Sequence, residues 1–488
     1  MEASDARSAI RTKIVATLGP ATDDPERLAA VLEAGVSVCR LNFSHGTHAD
    51  HARTLRNVRA WADAHDRPIA VLGDLCGPKI RLNDVAGGAI DVHRGDTVQF
   101  VRGDAECTPG RFTTNYPRFV DEVDIGHRVF IDDGLIRFLV TDRQPDAVTC
   151  TCTTGGRVLS HKGVNLPNTA LSTPALTEKD RADLDWAIEH GLDYVALSFV
   201  REPHDVDELH ECIQQRGGRA GVVLKIEKPQ ALDHLDYFIE HTDAIMIARG
   251  DLGVEMDVWR VPLIQKDITT RCRRAGKPVI VATQMLQSMV TNPMPTRAEV
   301  SDVANAIIDL NDAVMLSAET AAGTYPDLAV TMMGHVAEAT ENYLRRNESD
   351  SRQPFTTTDD PAQAITHSAV QAARRLDARL VAAWTATGRT VRLLASCRLP
   401  MPVVGLTYDP RVYRQMNLLY GVIPLRTEPM SHPGKMARVL DQKLVEKGLA
   451  TTGDVVVVVT STQPNQPGAT DTTLIHRVGT DIPAPPEQ

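Results

Sequence analysis

Eight short apolar runs, each ending in polar, charged or glycine residues, constrain this chain most. They are "KIVATLG" at 13, "SVCRLNFS" at 37, "IAVLGDL" at 69, "YVALSFV" at 194, "GVVLKIE" at 221, "AIMIARG" at 244, "PVIVATQ" at 278 and "AVMLSAE" at 313. Between most of them lie amphipathic stretches of helical length, such as "DPERLAAVLEAG" and "TEKDRADLDWAIEHG", the second opening on a Thr-x-x-Asp cap. A run that is apolar throughout, without alternation, suits a strand buried on both faces. Eight such strands alternating with helices predict a (β/α)8 TIM barrel in the α/β class.

More than a hundred residues separate the third and fourth runs, so a second domain is inserted there. Within 83–168 the pattern turns to period-two alternation, as in "RVFIDDGLIRFLV" and "AVTCTCTT", which predicts a small β-rich module. After the polar linker "NESDSRQPFTTTDDP", the runs "RLVAAWT", "MPVVGLT", "GVIPLR" and "DVVVVVTS" predict a C-terminal doubly wound α/β domain. The expected boundaries are 1–82 and 169–350 for the barrel, 83–168 for the insert and 355–488 for the last domain.

The 52 basic against 63 acidic side chains, net charge −11, offer no general field for nucleic acid or anionic lipid, so any anion must be bound locally. Eight cysteines, of which only Cys150 and Cys152 are close, form neither a disulfide framework nor a CxxC zinc pattern and predict reduced thiols in a cytoplasm. The start "MEASDARSAIRTKIV" lacks a signal-peptide apolar core, and "VVVVV" at 455 is too short to cross a bilayer.

Barrel chemistry gathers at the C-terminal ends of the strands. There stand Arg40, Asn42 and Ser44; Asp74, Lys79 and Arg81; Lys225 and Glu227; Arg249 and Asp251; Thr283; and Ser317 and Glu319. The stretch "GDLCGPKIR" at 73 places Lys79 and Arg81 two residues apart, so in an extended segment both leave one face and suit an anion such as phosphate. Lys225 and Glu227 share a face in the same way. An ion pair would explain those two alone, but Asp251 on the next strand adds a second carboxylate. Two carboxylates make a hard oxygen site for Mg²⁺ or Mn²⁺, and with a lysine alongside they describe phosphoryl transfer.

The motifs "RLNFSHG", "GPKIR", "SHKGVNLP", "LKIEKPQALDHLD", "ARGDLGVE", "ATQMLQSM", "PTRAEVSDVANAI" and "MLSAETAAGTYP", collinear from residue 40 to 326, resemble the pyruvate kinase family. The resemblance implies a barrel, an inserted lid, a regulatory C-terminal domain, a homotetramer, and phosphoryl transfer from phosphoenolpyruvate to ADP. By the same resemblance Glu227 and Asp251 would hold the divalent ion, Lys225 would steady the phosphoryl group in flight, and Arg40 with Arg81 would hold the phosphate. The backbone of Ala248, Arg249 and Gly250 would bind the substrate carboxylate, and Thr283 would stand near the enolate carbon. His45 and Lys162 would meet nucleotide phosphates, Lys162 from the lid junction. The oxygens of Asn42, Ser44, Asp74 and the Leu75 carbonyl would form a monovalent-cation site. Most members carry glutamate where this chain has Lys79, and threonine is common at Leu75, so the expectation is that K⁺ is not required.

In the last domain Thr385, Thr387, Gly388, Arg389 and Thr390 lie between a strand and a helix and resemble the family's effector loop for phosphorylated sugars. The tail "RVGTDIPAPPEQ" offers no evident second basic group, which points to a sugar monophosphate or AMP. Thr296 with Glu299 reads as a capping box, Asp302 and Asn305 as packing and hydrogen-bonding residues, and Ser317, Glu319 and Asp133 as pocket or turn residues. Two other readings remain open, a Mg²⁺-dependent aldolase or lyase and a catalytically silent ligand sensor.

Overall fold

The structure, a computed structural model, describes residues 10–347, 360–429, 433–463 and 468–480, with the side chains of 433–435 excluded. Most of the linker, and the last eight residues of the tail, lie outside the described residues.

All eight apolar runs form barrel strands: β1 (Lys13–Leu18), β2 (Val38–Asn42), β3 (Ala70–Asp74), β4 (Tyr194–Leu197), β5 (Gly221–Ile226), β6 (Ala244–Ala248), β7 (Val279–Ala282) and β8 (Ala313–Leu316). They are parallel and close in chain order, β8 pairing back onto β1 through Lys13↔Ala313 to Ala16↔Leu316. Val15, Leu72, Val223, Met246 and Ile280 fill the interior. Ile14, Val71, Leu224 and Val281 face the surrounding helices, which explains why the runs are apolar at every position. The helix Glu178–Glu189 begins at the expected cap, the Asp180 carboxylate accepting from Thr177 N at 3.0 Å. Thr296 and Glu299 form the same reciprocal box.

The insert holds a six-stranded sheet, in the order Val164–Asn165, Arg128–Ile131, Ile136–Gln144, Ala147–Thr154, Thr97–Val101 and Arg111–Phe112, beside the pair Gly156–Leu159 and Ala89–Val92. Its core is aromatic, with Phe100 edge-on to Phe112 and to Phe138. Alternate residues from Ile136 to Val140 are buried, as the period-two pattern requires.

The C-terminal sheet runs Val422–Arg426, Val403–Thr407, Leu380–Trp384, Val455–Thr460 and Thr472–Arg477. Four strands are the expected parallel ones. The fifth is antiparallel and has no counterpart in the sequence reading, because "TTLIHR" is an edge strand without an apolar run. The strand order reverses between Leu380–Trp384 and Val455–Thr460, the position where open α/β sheets form a ligand crevice. This domain also closes the floor of the barrel, because Leu418 packs among its interior residues. Such a side chain contributes roughly 2 kcal/mol when fully buried.

Candidate active site

At the opposite end, the strand termini bring four charged side chains together in the protein interior. Asp74, the last residue of β3, accepts from Arg40 Nε at 2.6 Å through Oδ2, and its Oδ1 lies 3.3 Å from Lys225 Nζ. Lys225 Nζ is also 2.8 Å from Glu227 Oε1 and donates to Ser198 Oγ at 2.8 Å. Arg40 additionally donates to Thr17 Oγ1 at 3.0 Å. Two cations thus face two carboxylates, which is how buried charge becomes tolerable.

Each charge alters its neighbours. Burial alone would raise the Asp74 carboxyl, but Lys225 and Arg40 hold it below the ordinary carboxylate value. Burial opposes the Lys225 ammonium, yet Asp74 and Glu227 push it above its usual range. For Glu227 burial wins, lifting the carboxyl to about 7 against the pull of Lys225, with Asp251 adding to the rise. Its Oε2 accepts from Phe199 N at 2.8 Å. Oε1 is buried, and among the described residues it has no hydrogen-bond donor beyond the Lys225 ammonium at 2.8 Å. A buried carboxylate oxygen with no further donor, near a second carboxylate, fits a divalent cation.

Asp251 lies on the helix Arg249–Glu255 that follows β6. The Arg249 side chain turns away, reaching Asp302 at 2.7 Å and the Thr283 carbonyl at 3.0 Å, so only its backbone is left for a substrate. This pairing agrees with the hydrogen-bonding part expected of Asp302. Gly250 N donates to Thr283 Oγ1 at 2.7 Å. Thr283 and Gln284 have φ of 69° and 55°, left-handed values that are costly for threonine and that gather at functional sites. Glu319 caps the loops, accepting from Leu286 N and Ser317 N.

Asn42 Oδ1 accepts from Ser44 N at 3.1 Å, and the Leu75 carbonyl accepts from Ser198 Oγ at 2.7 Å. Gly77, at φ 66°, turns the chain so that Lys79 and Arg81 both face residues 161–163 of the insert. Arg81 donates to the His161 carbonyl at 2.9 Å, while the Lys79 stem lies beside Gly163. Among the described residues the half-buried Lys79 ammonium has no ion-pair or hydrogen-bond partner. Lys162 pairs with Asp132 at 2.9 Å, next to the exposed Asp133. Burial holds the His45 ring below the usual histidine value, and Arg81, Lys79 and Arg40 lower it further.

Sequence reasoning missed Ser198, Thr17 and the pairing of Asp74 with both cations. Thr17 lies on β1 and Ser198 follows β4, the two barrel strands from which no candidate was drawn, and their place at a strand's C-terminal end was the available signal.

In the last domain Thr385, Thr387, Arg389 and Thr390 line the crevice at the sheet's switch point, with Thr407, Thr460, Ser461 and Thr470 opposite. Gly388 N donates to Thr385 Oγ1 at 2.8 Å, and Arg389 pairs with Asp360 at 2.5 Å.

A parallel eight-stranded barrel with buried carboxylates and cations at its C-terminal mouth, an insert after β3 and a separate α/β domain define the class of protein. Family profiles described as "Pyruvate kinase, barrel domain" and "Pyruvate kinase, alpha/beta domain" match residues 9–330 and 363–476. The pyruvate kinase of Mycobacterium intracellulare is 43% identical over 472 residues, 96% of this chain and 99% of that protein. That of Mycobacterium tuberculosis H37Rv is 42% identical with the same coverage. The Geobacillus stearothermophilus enzyme is 39% identical over 96% of this chain and 80% of its own length. The chain belongs to the pyruvate kinase family and is an enzyme of that phosphotransferase class. No helix among the described residues is long and apolar enough to cross a membrane.

Proposed function

We propose that the chain transfers the phosphoryl group of phosphoenolpyruvate to ADP with the help of Mg²⁺ or Mn²⁺, as the last step of glycolysis in the cytoplasm. A β-phosphate oxygen of ADP forms the new P–O bond, the bond from phosphorus to the enol oxygen breaks, and the enolate takes a proton at its methylene carbon, giving pyruvate and ATP. Glu227 and Asp251 hold the divalent ion, and the observation that carries this reading is the buried Glu227 carboxylate, close enough to Asp251 for the two charges to repel, whose Oε1 has no donor among the described residues beyond the Lys225 ammonium. When bound, the ion neutralises charge on the substrate and the phosphoryl group.

Lys225, whose side chain is only 12% exposed, supplies a fixed positive charge where negative charge develops on the moving group. Arg40 and Arg81 hold the phosphate. The amides of Ala248, Arg249 and Gly250 receive the carboxylate at a helix start, and Gly250 exchanges its bond to Thr283 for one to the substrate. That frees the Thr283 hydroxyl to orient the proton donor. His45 and Lys162 meet the nucleotide, with the insert (83–168) as a lid over the barrel (1–82 and 169–350). The domain at 355–488 binds a sugar monophosphate or AMP at the Thr385–Thr390 loop and regulates the enzyme. Val258, Trp259 and Leu263, 67%, 72% and 69% exposed, support assembly into a homotetramer through that face.

A lactate-dehydrogenase-coupled assay with phosphoenolpyruvate, ADP and Mg²⁺ tests the reading. Pyruvate release that requires ADP and is lost on chelation is expected; release independent of ADP would overturn it.

A further inference from the structure

Three residues inside the quoted motifs, Asn165, Lys228 and Glu255, have no part in the chemistry above, yet they meet in the interior. Glu255 ends the helix that carries Asp251 and is 2% exposed. Its Oε1 accepts from Lys228 Nζ at 2.7 Å and from Asn165 Nδ2 at 2.8 Å. Lys228 directly follows Glu227, and its ammonium lies 5.9 Å over the ring of Phe199, whose N–H holds Glu227. Asn165 belongs to the insert, pairing with Phe130 in the strand beside the Asp132–Gly134 tip. The same helix meets that tip as well, since a Cβ on Gly134 would lie 3.6 Å from Val254. One carboxylate therefore joins the insert to both elements that bear the two metal-site carboxylates.

The joint is incompletely satisfied. Glu255 Oε2 is buried and takes no hydrogen bond among the described residues, and a buried charged oxygen left without a donor costs the desolvation that water would otherwise relieve. Moving the insert away removes the Asn165 bond but lets water reach that oxygen. Loss and gain oppose each other, which keeps the joint from locking, and an insert tethered by two chain crossings is free to rotate when its few contacts break.

We propose that Glu255 is a positioning residue, a latch that fastens the insert over the barrel mouth through Asn165 while Lys228 holds the carboxylate in place. Lys162 lies three residues before Asn165, so closing the latch also brings Lys162 to the nucleotide; this consequence rests on the function proposed above. The latch sets the fraction of molecules ready to capture ADP and leaves the phosphoryl-transfer step itself unchanged.

The test uses the full chain with Asn165→Leu, Asn165→Asp, and Asn165→Asp combined with Glu255→Gln. For Asn165→Leu the KM for ADP should rise roughly tenfold, the size expected for losing one hydrogen bond to a charged group, with kcat and the KM for phosphoenolpyruvate within about twofold of the parent. Amide hydrogen exchange should quicken in strands 128–131 and 164–165 and stay unchanged in β1. Asn165→Asp should be worse than Asn165→Leu, because it places two carboxylates together, and Glu255→Gln in that background should restore part of the loss. A merely structural role predicts no such rescue. Parent-like KM and exchange in Asn165→Leu, or no rescue in the double variant, would overturn the latch. If the parent makes no pyruvate from ADP, the proposed function fails, while the exchange and rescue of exchange still decide the latch.

Discussion

Lys225 Nζ lies 3.3 Å from Asp74 Oδ1, so the cation at the centre of the site is held by a carboxylate from a strand on the far side of β4. In the proposed reaction Lys225→Met removes the charge needed as the phosphoryl group detaches. The rate should fall by roughly 10³-fold or more while phosphoenolpyruvate still binds, as for other losses of transition-state charge stabilisation. The substitution also leaves Asp74 and Glu227 buried beside a neutral side chain, which costs several kcal/mol in comparable pairs. Single-turnover kinetics with a substrate-binding titration checks the first effect, and Lys225→Arg, which keeps the charge, separates it from the second. Parent activity in Lys225→Met would remove the assigned role.

The effector role proposed for the Thr385–Thr390 loop gives a second expectation. Arg389 is held by Asp360 and Thr387 lines the crevice. Thr387→Ala with Arg389→Ala should abolish activation by a sugar monophosphate or AMP and leave the rate at saturating substrate unchanged. Activation curves for parent and variant decide it, and a normal response in the variant would make the loop structural.

The barrel was legible because burial on both faces writes itself into each strand as an unbroken apolar run, and the site was legible because charges end those runs. Partnerships were less so. Nothing in periodicity says that Asp74 takes Arg40 and Lys225, that Arg249 turns toward Asp302, or that Leu418, more than a hundred residues from the last barrel strand, fills the barrel floor. These are long-range choices, fixed by how the loops fold back. The edge strand Thr472–Arg477 escaped for the opposite reason, since Leu474 and Ile475 are exposed and form no buried run.

Lys13 opens β1 and donates to the Val422 carbonyl at 2.7 Å, and burial lowers its ammonium from 10.5 to about 8 despite the attraction of Glu341. The native chain therefore gives up this proton at lower pH than the unfolded chain does. Between about pH 8 and 10.5 the unfolded chain keeps a proton that the native chain has lost, so this group's contribution rises with pH across that window and is lost below it. Lys13→Met should raise stability at pH 7 by up to roughly 3 kcal/mol, less about 1 kcal/mol for the lost hydrogen bond, with the advantage gone near pH 10.5. Urea midpoints at the two pH values are the measurement. A difference between parent and variant that does not change with pH would show that Lys13 titrates normally.

The final expectation concerns Lys79. The oxygens of the would-be monovalent site already have protein donors: Ser44 N on Asn42, Arg40 and Lys225 on Asp74, and Ser198 on the Leu75 carbonyl. Lys79 itself is half-buried with no partner among the described residues, in a pocket it shares with Asp251 and Lys228, and its charge reaches His45. An ammonium has the same single charge as K⁺, and placed here covalently it supplies that charge while repelling a second cation. The enzyme should thus be as active in tetramethylammonium as in KCl. Lys79→Glu withdraws the built-in charge and adds an opposite one, so its activity should fall roughly tenfold or more without K⁺ and recover as KCl is added, the scale of a lost electrostatic contact to a phosphate. Initial rates at constant ionic strength, with and without K⁺, decide the matter. A parent enzyme that is inert until K⁺ arrives, or a Lys79→Glu variant indifferent to K⁺, would show that Lys79 does not take the cation's place.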